Sequence, residues 1–514
     1  MANLKDTAVK AVQGSALWLE ERLHITKMWN ATAGHAIPKS AASWFYVFGS
    51  GTLLCFVLQI LTGICLALIY QPTGSDSYQS LEHLTYVTPL GWYLRALHYW
   101  GSNFMVAIMF LHMVQVFLFG AFKYPRELNW VSGVILMLLT LGMAFSGQVV
   151  RWDADAYWGL GIGVAIMGRI PFIGPEIVHW FLGGPIIAGE TLSRFFTLHV
   201  FVLPGGILAL LALHLRLVLT TGINEYPEPG KKVVKETYLK EYDDLVHGEG
   251  GMPFAPDGIG KDVAFAGFVI GLIAICAFVF GPKGPEALPD PTLIRTAPRP
   301  DWAFMWIFAV ASLIPDWSET LVLLVAPMIG ILILIALPFF ANTGEKSWRA
   351  RPVSVLVVAV GVVALLVLTW AGIASPWSPP MEAWKADPTP QELLVGRTPL
   401  ERQGALVFQN KQCRNCHALE GSGGFRGPDL ADVAARLTGD QMVRQVIQGG
   451  GNMPAYGKNL NPAEVEALVA YMKTLKAANV PAATDMTRPN APTPGAPAAE
   501  PEHSEEEGHK TAGL

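Results

Sequence analysis

The sequence predicts an all-α membrane protein in which a seven-helix transmembrane bundle is followed by a small all-α domain. Hydrophobic residues make up 52% of the 514 residues and charged residues only 15%, unlike the composition of a soluble protein. Seven apolar stretches are each long enough to cross a bilayer as a helix of about 20 residues. A C-x-x-C-H sequence lies beyond the last stretch, between two segments with helical patterns.

The N-terminal 43 residues are polar, contain no recognisable signal peptide, and are expected to form a surface segment. The seven apolar stretches that follow lie at about 45–70, 92–120, 131–150, 191–221, 263–281, 320–340 and 353–374. Positive charge collects in the loops around 121–130, 221–261 and 342–352, whereas the loop 71–91 has no Lys or Arg. The positive-inside rule therefore predicts a cytoplasmic N-terminus and a C-terminal domain outside.

Two apolar stretches each carry a pair of histidines, His98 and His112 in the second and His199 and His214 in the fourth. The members of a pair are 14 or 15 residues apart, so they project from nearly the same helix face, roughly 21 Å apart along the axis. The alternative is that each histidine is merely a polar side chain satisfied by a neighbouring helix. Because polar groups are costly in lipid, this is a poor explanation for four histidines in register. Pairing across the two helices gives two stacked bis-imidazole sites, an arrangement that holds non-covalent b-type haem.

Two pairs of glycines repeat the same interval. Gly49 and Gly63 in the first stretch are 14 residues apart, as are Gly133 and Gly147 in the third. Glycine at these positions removes side chains where two flat macrocycles must press against the neighbouring helices. The glycines therefore favour the same two haem sites.

The remaining segments differ in composition from the apolar stretches. Residues 151–184 are too polar and too broken by Gly and Pro to span a membrane, and they predict short helices at the outer surface. A Pro-rich stretch predicts a stiff spacer after the last span, and the Pro, Ala and Glu content beyond residue 478 predicts disorder. The sequence therefore predicts seven parts: a surface segment at 1–43, a four-helix unit at 44–224, a connector at 225–261, a three-helix unit at 262–376, a linker at 377–398, a C-terminal domain at 399–478 and a tail at 479–514.

The C-x-x-C-H sequence comprises Cys413, Cys416 and His417. In such a motif the two thiols form thioethers to one covalent c-type haem and the histidine ligates its iron. A zinc or redox CxxC is a weaker interpretation, because the histidine follows immediately and no second CxxC occurs. Met453, in a Gly-rich loop, is the candidate second ligand, which would raise the reduction potential; the alternative is a packing role. Attachment of this kind takes place outside the cytoplasm, in agreement with the charge-based topology.

These residues resemble the cytochrome b family of Rieske/cytochrome b (cytochrome bc) complexes over nearly all of 20–376, and class I cytochrome c over about 399–478. The histidine spacings and the three-helix C-terminal unit are more similar to the split chloroplast type than to the eight-helix mitochondrial type. Here both halves and a cytochrome c form one polypeptide.

The resemblance implies roles for individual residues at the haem sites. His98 and His199 would hold the outer b haem, and His112 and His214 the inner one. Arg95 and Arg126 match family positions that pair with haem propionates. The cysteine that attaches an additional haem in chloroplast-type proteins is replaced by Val47, so no covalent third haem is expected in the membrane part.

The resemblance also implies quinol oxidation at an outer site. One electron would pass through a Rieske iron–sulfur protein to the c haem, and the other across the b haems to an inner quinone site, with proton translocation. The family carries Pro-Glu-Trp-Tyr at the outer site, where this chain has Pro300, Asp301, Trp302 and Ala303. Asp301 keeps a carboxylate that can accept a quinol proton, while Ala303 removes the tyrosine.

The resemblance further implies a homodimeric quinol:cytochrome c oxidoreductase in the bacterial cytoplasmic membrane, with the cytochrome c domain on the periplasmic side. No Rieske-type paired Cys-His motifs occur, so a separate iron–sulfur subunit is expected, together with a soluble or membrane-bound cytochrome as acceptor. The net charge of −5 gives no indication of a nucleic-acid partner. Two alternatives remain: a non-bifurcating di-haem anchor linking quinone to another redox enzyme, and a transporter with a histidine proton relay. The C-x-x-C-H domain argues against the transporter.

Overall fold

The computed structural model describes most of the membrane part and most of the C-terminal domain. The described residues are 13–15, 17–184, 187–289, 299–374, 388–424, 427–449, 453, 456–457 and 459–476. The tail 479–514 that was predicted to be disordered lies outside the described residues, as does much of the Pro-rich linker.

Within the described residues, seven helices are long and apolar enough to cross a membrane, which confirms the predicted bundle. They are referred to in order as the first to seventh spans: Phe48–Ala67, Gly91–Leu118, Glu127–Val150, Gly189–Thr221, Asp257–Phe280, Thr320–Phe340 and Pro352–Ala374. The most apolar stretches of the sixth and seventh spans have no buried residues. Many of their apolar side chains are exposed, among them Leu332, Ile333, Leu356 and Leu366, as expected for a surface that faces lipid.

Shorter elements join the spans. The helices are Ile25–Ala31, Ser77–Tyr86, Ala154–Gly168, Gly174–Leu182, Lys235–His247 and Trp302–Leu313. Two of them occupy the Gly- and Pro-rich region after the third span, where short helices were predicted, and the Asp153 carboxylate caps the first by accepting from the Ala156 amide at 2.9 Å. Strand Ala36–Pro38 pairs antiparallel with Gly251–Pro253, and Lys232–Val233 pairs with Gly344–Glu345.

Helix pairing determines which faces meet. The first span packs on the second, and the third packs on the fourth. Each span that carries two histidines is therefore backed by a span that carries two of the four predicted glycines. Cys55, predicted to be a small packing residue, is fully buried between the first, second and fifth spans with Phe56 and Ile273.

A buried polar network ties the connector to the loops after the second and sixth spans. Lys346 Nζ lies 2.9 Å from Glu225 Oε1, the Tyr238 hydroxyl donates to Glu225 Oε2 at 3.0 Å, and Arg126 Nη1 donates to the Tyr238 oxygen at 2.8 Å. Burial lowers the pKa of Lys346 to about 8, although Glu225 opposes the shift. Burial alone would raise the pKa of Glu225, but the Lys346 ammonium holds it below its ordinary value. Both groups are therefore charged at neutral pH, and their mutual pairing makes their burial tolerable.

The C-terminal domain is a small helical unit with its own core. Its helices are Pro399–Asn410, Val433–Arg436, Gly439–Gln448 and Pro462–Met472, and its two short paired strands are Ala418–Leu419 and Ser422–Gly423. The first and last helices cross closely at Gly404, where a Cβ atom would overlap the Ala467 carbonyl. The rings of Phe408 and Tyr471 meet across this crossing, with centroids 5.9 Å apart.

Candidate functional site

The structure places the four intramembrane histidines in two pairs between the second and fourth spans. The ring centroids of His98 and His199 are 6.3 Å apart. His112 and His214 line one cavity of about 590 Å³. The two pairs are thus stacked along the same pair of helices.

Hydroxyl groups determine which ring nitrogen carries the proton in three of the four histidines. The hydroxyl oxygens lie close to imidazole Nδ1 atoms: Thr62 to His98 at 2.8 Å, Ser132 to His214 at 2.8 Å and Ser146 to His199 at 3.0 Å. Each hydroxyl donates its own hydrogen to a main-chain carbonyl about one turn earlier, on Leu58 at 2.7 Å, Asn129 at 2.9 Å and Met143 at 3.1 Å. A hydroxyl has one hydrogen, so its oxygen accepts from Nδ1–H. The lone pair of each imidazole is then on Nε2, ready to bind a metal ion.

Each of the four predicted glycines lies against one histidine. A Cβ atom built on the glycine would approach the ring Cε1 atom: Gly49 to His112 at 3.4 Å, Gly63 to His98 at 3.3 Å, Gly133 to His214 at 3.6 Å and Gly147 to His199 at 2.8 Å. Any side chain at Gly147 would displace the His199 ring. The space beside each imidazole is therefore kept free of side chains, as a flat iron-binding macrocycle requires.

The cavity beside His112 and His214 contains an arginine whose hydrogen bonding is incomplete. Arg126 lines the cavity, and its Nε donates to the Gly222 carbonyl at 2.9 Å. Its Nη2 is buried without a hydrogen-bond partner among the described residues. A buried donor without an acceptor is costly. A carboxylate on a group bound in the cavity would supply that acceptor, so the residues fit haem.

Arg95 makes contacts of a different kind. Its Nη1 donates to Thr85 Oγ1 at 2.5 Å, and its Nη2 donates to the carbonyls of Lys283 and Gly284. The guanidinium therefore holds the start of the second span against the loop that follows the fifth span.

The predicted outer quinol residues lie at the start of the helix Trp302–Leu313. Asp301 Oδ1 is 3.2 Å from Lys283 Nζ and 4.0 Å from Arg151 Nη1. The Asp301 amide donates to Gln148 Oε1 at 3.1 Å. Trp302 Nε1 donates to Asn103 Oδ1 at 2.6 Å, and Pro300 is buried. The motif is thus attached to the middle of the second span, the end of the third span and the loop after the fifth span.

Asp301 belongs to a wider cluster of charged groups. Lys283 Nζ is also 4.0 Å from Asp155 Oδ2, and Arg151 pairs with the fully buried Asp153. Burial raises the pKa of Asp155, and Lys283 partly opposes this shift. Two carboxylates therefore share one ammonium group, an arrangement suited to accepting and passing on protons.

The C-x-x-C-H residues and Met453 line a single apolar cavity of about 270 Å³ in the C-terminal domain. His417 Nδ1 lies 2.8 Å from the Pro428 carbonyl oxygen, so it carries the proton and Nε2 is free to ligate. The Met453 sulfur accepts from Gln445 Nε2 at 3.7 Å. Cys413 and Cys416 form no disulfide bond. The cavity thus brings together the residues that covalent haem attachment and axial ligation need.

Comparison with known proteins agrees with this geometry. The family model described as "Cytochrome b/b6/petB" matches residues 34–222, and "Cytochrome b(C-terminal)/b6/petD" matches 290–385. The chain is 32% identical over 372 residues to the cytochrome bc complex cytochrome b subunit of Chlorobaculum thiosulfatiphilum, covering 71% of this chain and 82% of that protein. The chain belongs to the cytochrome b family. This cytochrome b carries a further domain, since "Cytochrome C oxidase, cbb3-type, subunit III" matches 399–472.

Other relatives of this cytochrome b have respiratory names. The menaquinol:cytochrome c reductase cytochrome b subunit of Geobacillus thermodenitrificans is 36% identical over 214 residues, covering 40% of this chain and 96% of that protein. A solved structure titled "Hyperthermophilic respiratory Complex III" aligns with a TM-score of 0.58 and 27% identity, over 70% of this chain and 91% of the other. This cytochrome b is therefore an integral membrane protein whose two kinds of cytochrome domain imply haem cofactors and a role in oxidoreduction.

The sequence alone did not identify several polar residues that contact the predicted site residues. Thr62, Ser132 and Ser146 each directly precede one of the predicted glycines, a regularity that could have identified them. Lys283 had a weaker signal, as the first cation after the fifth span. Gln148 had none, because its role arises only from the approach of Asp301.

Proposed function

We propose that this cytochrome b is the haem-carrying subunit of a quinol:cytochrome c oxidoreductase. The observation that carries the proposal is the stack of two half-buried imidazole pairs between an outer carboxylate site and an inner cavity. His98 and His199 would hold the outer b haem, His112 and His214 the inner b haem, and Cys413, Cys416, His417 and Met453 one covalent c haem. Bound haem iron supplies one-electron transfer at each position.

At the outer site the chain's own residues manage the protons. Quinol oxidation to quinone releases two electrons and two protons, and Asp301 accepts the first proton. Lys283 holds the carboxylate in place at 3.2 Å, and Asp155 lies on the other side of the same ammonium. Protons then leave toward the outer surface. With haem bound, the two histidine pairs would offer one electron a route across the membrane, and a separate Rieske iron–sulfur protein would carry the other to the c haem.

At the inner side the electron reduces a second quinone. The cavity that contains His112 and His214 continues to polar residues, among them His35, Asp262 and Lys261. These groups can supply protons to a reduced quinone. Uptake inside and release outside would couple electron transfer to proton translocation.

Each predicted unit of the chain has a part in this function. The four-helix unit 44–224 carries both b haems, the three-helix unit 262–376 carries the outer quinol motif, and 399–478 is the cytochrome c domain. We place the complex as a homodimer in the bacterial cytoplasmic membrane, with the N-terminus inside and the c domain in the periplasm. A Pro-rich tether keeps the c domain at high local concentration near the outer site.

Depletion of the Rieske subunit tests the division of the electrons. In the purified complex, loss of that subunit should abolish quinol-dependent reduction of the c haem, because the two electrons no longer have separate routes. The measurement is stopped-flow absorbance in the c and b bands, with the reconstituted complex as control. Normal quinol oxidation without an iron–sulfur subunit would contradict bifurcation and favour a di-haem anchor for another redox enzyme.

Asp301→Asn should lower quinol:acceptor turnover by about tenfold or more, because general acid–base groups typically contribute 10²–10⁴-fold. The amide keeps the shape of the side chain but cannot take up the proton. Asp301→Glu retains a carboxylate and should keep most of the activity. Steady-state turnover is measured with soluble benzoquinol and naphthoquinol analogues, and haem content establishes folding. Wild-type turnover in Asp301→Asn would exclude this role.

A further inference from the structure

Four positions in the first and third spans repeat one local pattern, but one position departs from it. Each predicted glycine that faces a histidine directly follows a residue whose type can be compared across the four positions. Three of these residues carry a hydroxyl and the fourth is aromatic: Thr62, Ser132, Ser146 and Phe48. The three hydroxyl oxygens lie 2.8 to 3.0 Å from Nδ1 atoms.

The exception is at His112. Its Nδ1 is buried without a hydrogen-bond partner among the described residues. Phe48, at the corresponding place before Gly49, offers no oxygen and instead packs edge-on against Phe265, with ring centroids 5.8 Å apart. The Gln115 side chain approaches the His112 ring from the same helix without taking the place of a hydroxyl on Nδ1.

The hydroxyls are therefore unequally divided between the two histidine pairs. In the His98 and His199 pair both rings donate Nδ1–H to a hydroxyl. In the His112 and His214 pair, within the part of the chain that the structure describes, only His214 does. A hydroxyl partner on Nδ1 is thus present at two rings of the first pair and at one ring of the second.

Such a bond changes the imidazole as a ligand. When Nδ1–H donates to an oxygen, electron density shifts into the ring and Nε2 becomes a more basic ligand. A stronger donor favours ferric over ferrous iron and lowers the reduction potential, and hydrogen bonds outside the ligand set are a recognised means of tuning it. The hydroxyls therefore depress the potential more at the outer pair than at the inner one.

We propose that Thr62 and Ser146 are positioning residues that make the outer b-haem site the lower-potential one, and that Phe48 helps to keep the inner site higher. This inference rests on the proposed function, because it needs haem at both histidine pairs. With this order one electron moves downhill from the outer to the inner site, one iron being oxidised as the other is reduced. No proton is exchanged in that transfer.

Redox titration of the purified complex tests the proposal, with the b-band absorbance followed as a function of potential. Thr62→Val and Ser146→Ala should each shift the outer midpoint to more positive values and leave the inner midpoint unchanged. In these two variants, the equilibrium constant for electron transfer from the outer to the inner site should fall by a factor of about 2–10 for each hydrogen bond removed. Ser132→Ala should shift only the inner midpoint, also to more positive values, and so widen the separation.

The reverse change gives an independent test. Phe48→Ser introduces a hydroxyl beside His112 and should lower the inner midpoint. Thr62→Ser and Ser146→Thr retain the hydroxyl and should behave as wild type. Ser102→Ala is the matched control, because Ser102 lies on the same helix as His98 and its hydroxyl donates to the Tyr99 carbonyl at 2.8 Å.

Measurement of the haem content distinguishes a failure of this inference from a failure of the proposed function. If the wild-type complex contains two b haems and the midpoints do not move in Thr62→Val, Ser146→Ala and Ser132→Ala, the inference is wrong while the proposed function stands. If the wild-type chain binds no b haem, the proposed function itself is wrong. Opposite changes in the separation for the outer and inner variants, with haem content intact, would support the inference.

Discussion

His199→Leu is expected to remove the outer b haem and leave the inner b haem and the c haem in place. Pyridine haemochrome analysis of the purified chain should then change from two b haems per c haem to one. The reason is local: His199 faces His98 at a centroid distance of 6.3 Å, and leucine has no atom that can ligate iron. The inner pair lies roughly 21 Å away along the helices, too far for its ligands to be displaced directly.

His179→Leu is the matched control for this loss. His179 is an exposed histidine on the short helix Gly174–Leu182 and contacts neither histidine pair, so the same substitution should leave all haem in place. Two b haems in His199→Leu would contradict the assignment of that ligand. Three b haems per c haem in the wild type would instead place an additional haem in the inner cavity, next to His112 and His214.

Cys413→Ala combined with Cys416→Ala is expected to abolish covalent haem and, with it, transfer of electrons to a soluble acceptor. Each thioether needs one of these thiols. The cavity of about 270 Å³ beside these thiols is lined by core residues of the domain, including Phe408, Met442 and Leu468. Without haem these side chains lose the surface against which they pack, so the domain should also be strongly destabilised.

Haem staining of a denaturing gel measures the covalent attachment, and absorbance measures b-haem reduction by quinol. The stain should disappear in the double variant, whereas the b haems should still be incorporated. Cys65→Ala combined with Cys276→Ala removes two thiols from the apolar spans and should retain the stain. Covalent haem on the Cys413 and Cys416 double variant would refute the attachment site.

The spans could be predicted from sequence because the bilayer imposes a length and a polarity on each one. The fourth span was expected at 191–221 and lies at Gly189–Thr221. The fifth was expected at 263–281 but begins at Asp257, since its first turns contain Lys261 and Asp262 and an apolar window excludes them. The helix Trp302–Leu313 has 12 residues, too few to span a bilayer. A search of the sequence for membrane-spanning stretches therefore does not distinguish this helix from the loop around it.

The candidate ligands were also readable from sequence, since a helix repeats every 3.6 residues and the intervals between histidines or between glycines lie within single helices. The partners of those ligands were not. Thr62 and His98 are 36 residues apart, and Ser146 and His199 are 53 apart. Which oxygen meets which ring depends on how two helices pack and rotate against each other, and spacing within one helix carries no information about that.

The sequence by itself therefore determined the seven spans, the four histidines and four glycines in register, and the C-x-x-C-H domain. Only the tertiary structure decided that Asp301 pairs with Lys283. Only it decided that, among the described residues, Arg126 Nη2 has no hydrogen-bond partner and His112 lacks the hydroxyl that the other three histidines have. The physical reason is that periodicity and hydrophobicity act along one segment of chain. Hydrogen bonds between side chains depend on distances between segments, which only packing sets.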